Sequence, residues 1–179
     1  MPQIEIRPAN PKDIPVLMDI DHSYETKYVW QMEREFLQND VRINFRETRL
    51  PRSVPVEYPN TIEILSKHNF EEAPILTALL NDVPVGYLRL KLQLHSRCVT
   101  VVDLAVSKSV RRQGIASGLV LAAQDWTSEK RIRHMVLEMQ SKNHPAVRMA
   151  LKLGFEFSGY NDHYYPSQDV ALFFAKYIR

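Results

Sequence analysis

The stretch "SVRRQGIASG", residues 109–118, places two arginines, a glycine and several small residues between a strand-like run and a helix-like run. The first turn of a helix leaves backbone N–H groups without partners, and the helix dipole adds partial positive charge there. A loop that wraps into such an end aims several N–H groups at one anion. Gly114 allows close backbone approach without a Cβ, Ala116 and Gly118 keep the approach clear and permit tight helix packing, and Arg111 and Arg112 add charge. This is the chemistry of holding a pyrophosphate; for these residues alone, an ordinary strand-to-helix turn is the alternative. There is no G-x-x-x-x-G-K-[ST], which argues against a nucleoside triphosphatase loop, and no G-x-G-x-x-G, which argues against a dinucleotide fold.

Two carboxylates stand out for a different reason. Asp103 in "VVDLAV" and Glu138 in "VLEMQ" lie on strands otherwise full of Val, Leu and Met. A charge within a buried strand is costly unless paired or solvated. Either a functional cleft opens beside them or one face of each strand is exposed. In a cleft, a carboxylate of this kind accepts a proton from a nucleophile.

The elements that must position these groups follow from periodicity. "QIEIRPA" alternates as a strand, and "NPKDIPVLMDIDHSY" fits one helical face through Ile14, Leu17, Met18 and Ile20. "KYVWQMERE" and "VRINFRET" read as a strand pair, and "LPRSVPVEYPN" as a proline-rich loop over or beside a site. "PILTALL" and "VGYLRLKLQL" are strands joined by the turn signature "NDVP", and "RCVTVVDLAV" is another. "GIASGLVLAAQDWTSEKR" reads as a helix burying Ile115, Leu119, Val120, Ala123 and Trp126. "HMVLEMQ" is a strand, "NHPAVRMALKLG" a helix ended by Gly154, and "FEFSGY" and "VALFFAKYI" are strands. The order β-α-β-β-β-β-β-α-β-α-β-β predicts an α+β domain built on one mixed sheet.

Composition sets the bounds. The chain has 179 residues, one domain's worth, with 45% hydrophobic and 25% charged residues. Its single cysteine, Cys98, excludes an internal disulfide framework and a thiolate metal cluster, and its surroundings predict a buried, inert thiol. Histidines 134, 144 and 163 have no metal spacing, so no metal site is expected; Met135, Met139 and Met149 read as core. No stretch resembles a signal peptide or a membrane span, which predicts a cytoplasmic protein. The net charge is +2. Residues 21–72 carry ten acids against seven bases, and residues 108–152 nine bases against three acids. The acidic part, including Asp19, Asp21, Glu25, Glu33 and Glu35, would favour a cationic substrate, and the basic part an anionic cofactor. Solvated surface charge explains any one of these residues equally well.

"VVDLAVSKSVRRQGIASGLV" resembles the acetyl-CoA motif of the GNAT N-acetyltransferases, [QR]-x-x-G-x-[GA], with Arg111, Gly114 and Ala116 in its three places. "LEMQSKNHPAVRMALKLGFEFSGY" is similar to the family's second half through Asn143, Ala146 and the Gly154–Phe155 pair. The match looks closer still to the streptothricin acetyltransferase branch, through "DHSYETKYVWQM", "FRETRLPRSVPVEYP" and "GYNDHYYPSQDVALFFAKY". The resemblance implies a GNAT-like fold: a mixed, mostly antiparallel central sheet flanked by helices, with a splayed parallel strand pair. Residues 1–72 would form the acceptor-binding part and 73–179 the acetyl-CoA-binding core. It implies that Leu104, Ala105 and Val106 pair with pantetheine. Backbone N–H groups of Arg111, Arg112, Gln113, Gly114, Ile115 and Ala116 would hold the pyrophosphate, with the Ser117 hydroxyl beside them. Asn143 would contact the pantetheine arm, although a helix N-cap also suits it. Asp103 and Glu138 are the candidate catalytic carboxylates. The tyrosine that many members carry four residues before the Gly-Phe pair is Ala150 here. Tyr164 and Tyr165 are the candidate substitutes for that general acid; Tyr165 is preferred because it matches a tyrosine of the branch, with lining of the substrate pocket as its alternative role. The branch also tends to carry glutamates where this chain has Val102 and Ala105.

The expected activity is acetyl transfer from acetyl-CoA to a primary amine of a small cationic acceptor, of which a streptothricin-like antibiotic is the sharpest version. A protein N-terminus, a lysine or a polyamine is the alternative acceptor, and a CoA-binding module without chemistry the alternative class. Nucleic-acid binding is not expected, because aromatics do not interleave with the bases of 108–152. Homodimers are common among relatives.

Overall fold

Alternation of buried and exposed side chains sets out a seven-stranded sheet in the computed structural model, which describes residues 4–60, 62–93, 95 and 97–178. The expected residues Gln3, Leu94 and Ser96 lie outside the described set, as do Met1, Pro2, Thr61 and Arg179. The strands are β1 (Ile4–Pro8), β2 (Tyr24–Leu37), β3 (Asp40–Val56), β4 (Ile75–Leu80), β5 (Val83–Gln93), β6 (Cys98–Val106), β7 (His134–Gln140), β8 (Glu156–Asn161) and β9 (Ala171–Tyr177). The helices are α1 (Ile14–Met18), α2 (Ile115–Glu129) and α3 (His144–Lys152). The element order is the one the sequence predicts. The main sheet runs β1-β4-β5-β6-β7-β9-β8, antiparallel except for the parallel pair β6–β7 that α2 connects.

Three expectations are corrected. β2 and β3 do not join the main sheet but form their own two-stranded ribbon. The proline-rich stretch is not a loop up to Val56: β3 runs through Pro51 and Pro55, as a ribbon tolerates where no second neighbour needs the missing N–H. Only residues 57–60 leave the strand and cross toward the main sheet. α1 is also shorter than the apolar pattern suggests, because Pro15 starts it and the chain turns into β2 at Tyr24. The ribbon is tied down where Trp30 N–H donates to the Ser141 carbonyl at 2.9 Å and Phe45 packs on Phe157 and Tyr160.

The sheet separates two cores. Leu76, Leu88, Val99 and Val101 meet Leu119, Val120 and Ala123 of α2 on one face. Ile75, Tyr87 and Ala105 meet Ile14, Leu17 and Leu65 on the other. Neighbours in sequence fall on opposite faces, as the pleat demands. Cys98 is a buried free thiol, as expected. Met135 and Met139 are core, whereas Met149 packs at its margin and lines a cavity. Among the described residues no helix is long and apolar enough to cross a membrane.

One irregularity matters for everything below. Arg89 pairs with Asp103 and Leu90 with Val101, so Val102 is an extra residue in β6, a bulge. The bulge reverses the parity of the strand. Before it, Val99 and Val101 face α2; after it, Leu104 and Val106 do. Asp103 and Ala105 thereby turn to the α1 face.

Gly86 faces this arm of β6, and a Cβ there would lie 2.9 Å from the Ala105 carbonyl oxygen. Gly86→Ala is expected to destabilise the chain by about 1–3 kcal/mol, read as a lower denaturant midpoint at an unchanged m-value.

Candidate active site

β6 and β7 pair at only four positions, from Cys98↔His134 to Val101↔Leu137. Beyond them β6 stays bonded to β5 out to Val106, and β7 to β9 out to Gln140. The two strands therefore splay while each keeps one neighbour. The gap is a cavity of about 190 Å³ lined by Leu104, Ala105 and Val106 on one side and by Glu138, Met139 and Asn143 on the other. Beside it lies a larger open cavity of about 940 Å³, lined among others by Lys67, Glu72, Lys91 and Tyr164. Asn60, Val102, Glu138 and Tyr165 line both. The two spaces meet at these four residues.

Glu138 sits on the acceptor-side face of β7 because Met135, Leu137 and Met139 take the opposite face into the core. Its Oε2 accepts from the Tyr164 hydroxyl at 3.2 Å and its Oε1 from the Tyr165 hydroxyl at 3.4 Å. Burial raises the Glu138 pKa above the ordinary carboxylate range, although the two phenols partly offset that by stabilising the anion. Tyr165 is buried and Tyr164 exposed. Burial first, and then the Glu138 charge, raise the Tyr165 pKa, so the phenol keeps its proton. Tyr165 reaches both cavities and Tyr164 only the larger one, which separates the two tyrosines that the sequence left side by side. Ala150 is fully buried in the core; the α3 residues that line the smaller cavity are Pro145, Ala146 and Met149.

Asp103 is placed differently from the proton acceptor envisaged for it. Its buried side chain takes hydrogen bonds from the Tyr58 hydroxyl, the Arg89 guanidinium and Asn60 Nδ2, the last at 2.6 Å. Tyr58 Oη lies 3.3 Å from Tyr87 Oη, which lies 2.8 Å from His22 Nε2. Because Tyr58 gives its proton to Asp103, the pattern runs one way: His22 Nε2–H donates to Tyr87, Tyr87 to Tyr58, and Tyr58 to Asp103. Burial lowers the His22 pKa, which keeps the ring neutral. Sequence reasoning did not single out His22, Tyr58 and Asn60, although His22 and Tyr58 lie in stretches that carry the branch resemblance. For Tyr58 and Asn60 a further signal was the proline-rich stretch expected beside a site.

The loop that opened the sequence argument forms a nest at the start of α2. Arg112 (φ 67°) and Gly114 (φ 85°) both hold left-handed conformations, and Gly114 is the N-cap. The N–H groups of Ile115, Ala116 and Ser117 lie in the first turn, where no helical partner exists. The first helical bond here runs from Gly118 N–H to the Gly114 carbonyl at 2.9 Å. Gly118 packs 3.1 Å from Ile6 Cδ1, measured from the Cβ position it lacks, which is the close packing expected of it. A Cβ on Gly114 would meet no protein atom within 4 Å, so its requirement is conformational.

Arg111 is the exception among these loop residues. Its guanidinium donates to the carbonyls of Val106, Ser23 and Asp21 at 2.8, 2.9 and 2.7 Å, and its N–H faces the Lys108 carbonyl at 3.4 Å. The side chain bolts the His22 loop to the base of the nest. Lys108 adds an ion pair to Asp21 at 2.6 Å. Exposed Arg112 and Gln113 leave the nest open to solvent. Asn143 does cap α3, its Oδ1 accepting from Ala146 N–H at 3.2 Å, while lining the smaller cavity. Both proposed uses of that residue are compatible.

The acidic N-terminal residues do not gather around the larger cavity. Asp21 pairs with Lys108, Glu33 with Arg46 and Glu35 with Arg42. The acids lining that cavity are Glu72 and Glu138. Among the described residues, no cluster of three or more His, Cys, Asp or Glu side chains is placed to hold a metal ion.

Two substitutions probe this construction. Gly114→Val is expected to raise the dissociation constant for acetyl-CoA at least about tenfold, because a β-branched residue resists φ near 85°; calorimetric titration measures it. Arg89→Met leaves Asp103 buried and unpaired, and thermal or denaturant unfolding should show a loss of about 3–5 kcal/mol.

Known proteins carry the same architecture. The streptothricin acetyltransferase of Streptomyces lavendulae is 23% identical over 162 residues, covering 90% of this chain and 86% of its own. A crystal structure of nourseothricin acetyltransferase superposes with a TM-score of 0.83 at 19% identity, over 98% of this chain and 99% of the other. A putative streptothricin acetyltransferase from Bacillus anthracis, solved with acetyl coenzyme A, gives 0.79 at 23% identity with the same coverage. The model of the acetyltransferase (GNAT) family matches residues 28–155, from the ribbon through the splayed strands and the nest to the Gly154–Phe155 pair, and the chain belongs to that family.

Proposed function

We propose that this chain transfers the acetyl group of acetyl-CoA to a primary amine of a small cationic acceptor, and that streptothricin-type antibiotics are the first acceptors to test. The observation that carries this reading is the meeting of the two cavities at Glu138 and Tyr165. The names of the Streptomyces and nourseothricin relatives support the acceptor class and, with it, a role in antibiotic resistance.

The residues divide the work. Backbone N–H groups of Arg112 to Ser117 take the pyrophosphate, where the nest and helix start concentrate donors. The backbone of Leu104, Ala105 and Val106 faces the gap and pairs with the amides of the pantetheine arm, and Asn143 borders the same arm. The thioester then lies at the bulge. An acceptor entering through the larger cavity arrives as an ammonium and has to lose a proton before it attacks. Glu138 takes that proton, directly or through one water, helped by its raised pKa. As the tetrahedral intermediate collapses, Tyr165 donates to the departing thiolate sulfur and is reprotonated from Glu138, to which it is hydrogen-bonded, while the nitrogen gives up its second proton to solvent. Residues 1–72 contribute to the acceptor side through Asn60, Ile64, Lys67, His68, Asn69 and Glu72, and residues of β5 to β9 with the 164–166 loop supply most of the rest.

Thiol release from acetyl-CoA against streptothricin, aminoglycosides, polyamines, lysine and N-terminal peptides tests the reading. Release with streptothricin alone supports the full assignment. Release with another amine moves the acceptor, and none with any amine points to a binding module. Glu138→Gln is expected to lower kcat about 10²–10⁴-fold. In the native chain kcat/KM should fall as the pH drops through a pKa above the usual carboxylate range, because protonated Glu138 accepts nothing. Tyr165→Phe should lower kcat with little change in acetyl-CoA affinity; an unaltered rate would make Tyr165 a bystander.

A further inference from the structure

Among the described residues of the crossing from β3, Asn60 reaches both cavities. Asn60 Nδ2 donates to Asp103 Oδ1 at 2.6 Å and to the Val102 carbonyl at 3.4 Å. A carboxylate and a carbonyl only accept, so both amide hydrogens are committed to the bulge and the orientation of the amide is set by chemistry. Its Oδ1 is consequently turned away from the bulge, and among the described residues it has no hydrogen-bond partner. Asp103 cannot release the amide easily, because Arg89 and Tyr58 hold the same carboxylate and its side chain is buried.

We infer that Asn60 is a specificity residue for the acceptor amine, its Oδ1 accepting an N–H bond from the incoming ammonium while Glu138 receives the proton. The inference rests on the acetyl-transfer reading above. In it Asp103 is a positioning residue: it orients Asn60 and does not itself take a proton. The arrangement favours an acceptor with at least two N–H bonds on the reacting nitrogen, one for each oxygen. A primary ammonium satisfies this, and a trimethylammonium offers none. It also explains why a buried aspartate should stand immediately after the bulge: there its carboxylate anchors the crossing segment to the strand that borders the thioester space.

The test has two arms. In steady-state assays with the amine that the wild-type chain acetylates, Asn60→Ala should raise the KM for the amine about tenfold, the value of one hydrogen bond to a charged group. The KM for acetyl-CoA should stay within about twofold and the pH profile of kcat should not move, since Glu138 is untouched. A purely structural role would shift both KM values and the thermal midpoint together. An unchanged KM for the amine overturns the inference. The second arm needs neither turnover nor a variant. The ¹⁵N-labelled wild-type chain is titrated with butylammonium and with butyltrimethylammonium chloride, following the Asn60 side-chain amide. Preferential response to butylammonium supports the inference, and equal response to both overturns it. Failure of every amine to turn over, with that preference intact, defeats the transfer reading while leaving the amine site standing.

Discussion

Parallel strands β6 and β7 share four residue pairs and then part, each leaning on its other neighbour. A sheet that opens in its middle exposes backbone N–H and C=O groups on the inner edges, and such groups need partners. Here the edge of β6 that carries Leu104 to Val106 faces a narrow cavity where a chain of amides can supply them. The opening costs little fold stability because neither arm becomes a free strand. It also sets the address of every other functional group. The nest at the start of α2 follows directly from the end of β6, α3 and its Asn143 cap follow from the end of β7, and Glu138 stands on the inner edge beyond the last parallel pair.

The bulge at Val102 converts that opening into chemistry by reversing which face each later residue of β6 presents. Without the extra residue, Asp103 would point into the α2 core, where nothing could pair with it. With it, Asp103 meets Arg89, Tyr58 and Asn60. A buried ion pair of this kind contributes little net stability, because desolvation offsets the attraction, but it is strongly directional. Its directionality fixes the crossing segment against β6 beside the smaller cavity. Arg111 performs the same service at the other end, drawing the His22 loop onto the base of the nest through three backbone carbonyls. The two anchors are joined by the hydrogen bonds from His22 through Tyr87 and Tyr58 to Asp103. The crossing segment and the nest are therefore parts of one bonded assembly.

Much of this was legible in the residues themselves. The element order followed from short apolar runs bounded by turn signals and from the apolar stripe of α2. The nest was legible because glycine and small residues at a strand-to-helix junction have few other uses, and Glu138 because a lone charge among Met and Leu has to be explained. The rest depended on information that local pattern does not carry. A bulge leaves no composition signal, so the partners that Asp103 meets could not be read from "VVDLAV". Arg111 looked like an anion ligand because its type suits one, yet the carbonyls that it binds belong to residues 21–23 and Val106. Proline content suggested a loop at 50–56, where the isolated ribbon tolerates it in a strand. Asn60 acquires its meaning only from Asp103 and Val102, forty residues on.

A crystal structure of the chain with acetyl-CoA tests the central claim most directly. The account predicts the pyrophosphate on the N–H groups of residues 112–117, the pantetheine arm along Leu104 to Val106, and the thioester at Val102 with Glu138 across from it on the acceptor side. A pyrophosphate bound elsewhere, or a thioester emerging away from the gap between β6 and β7, would contradict it.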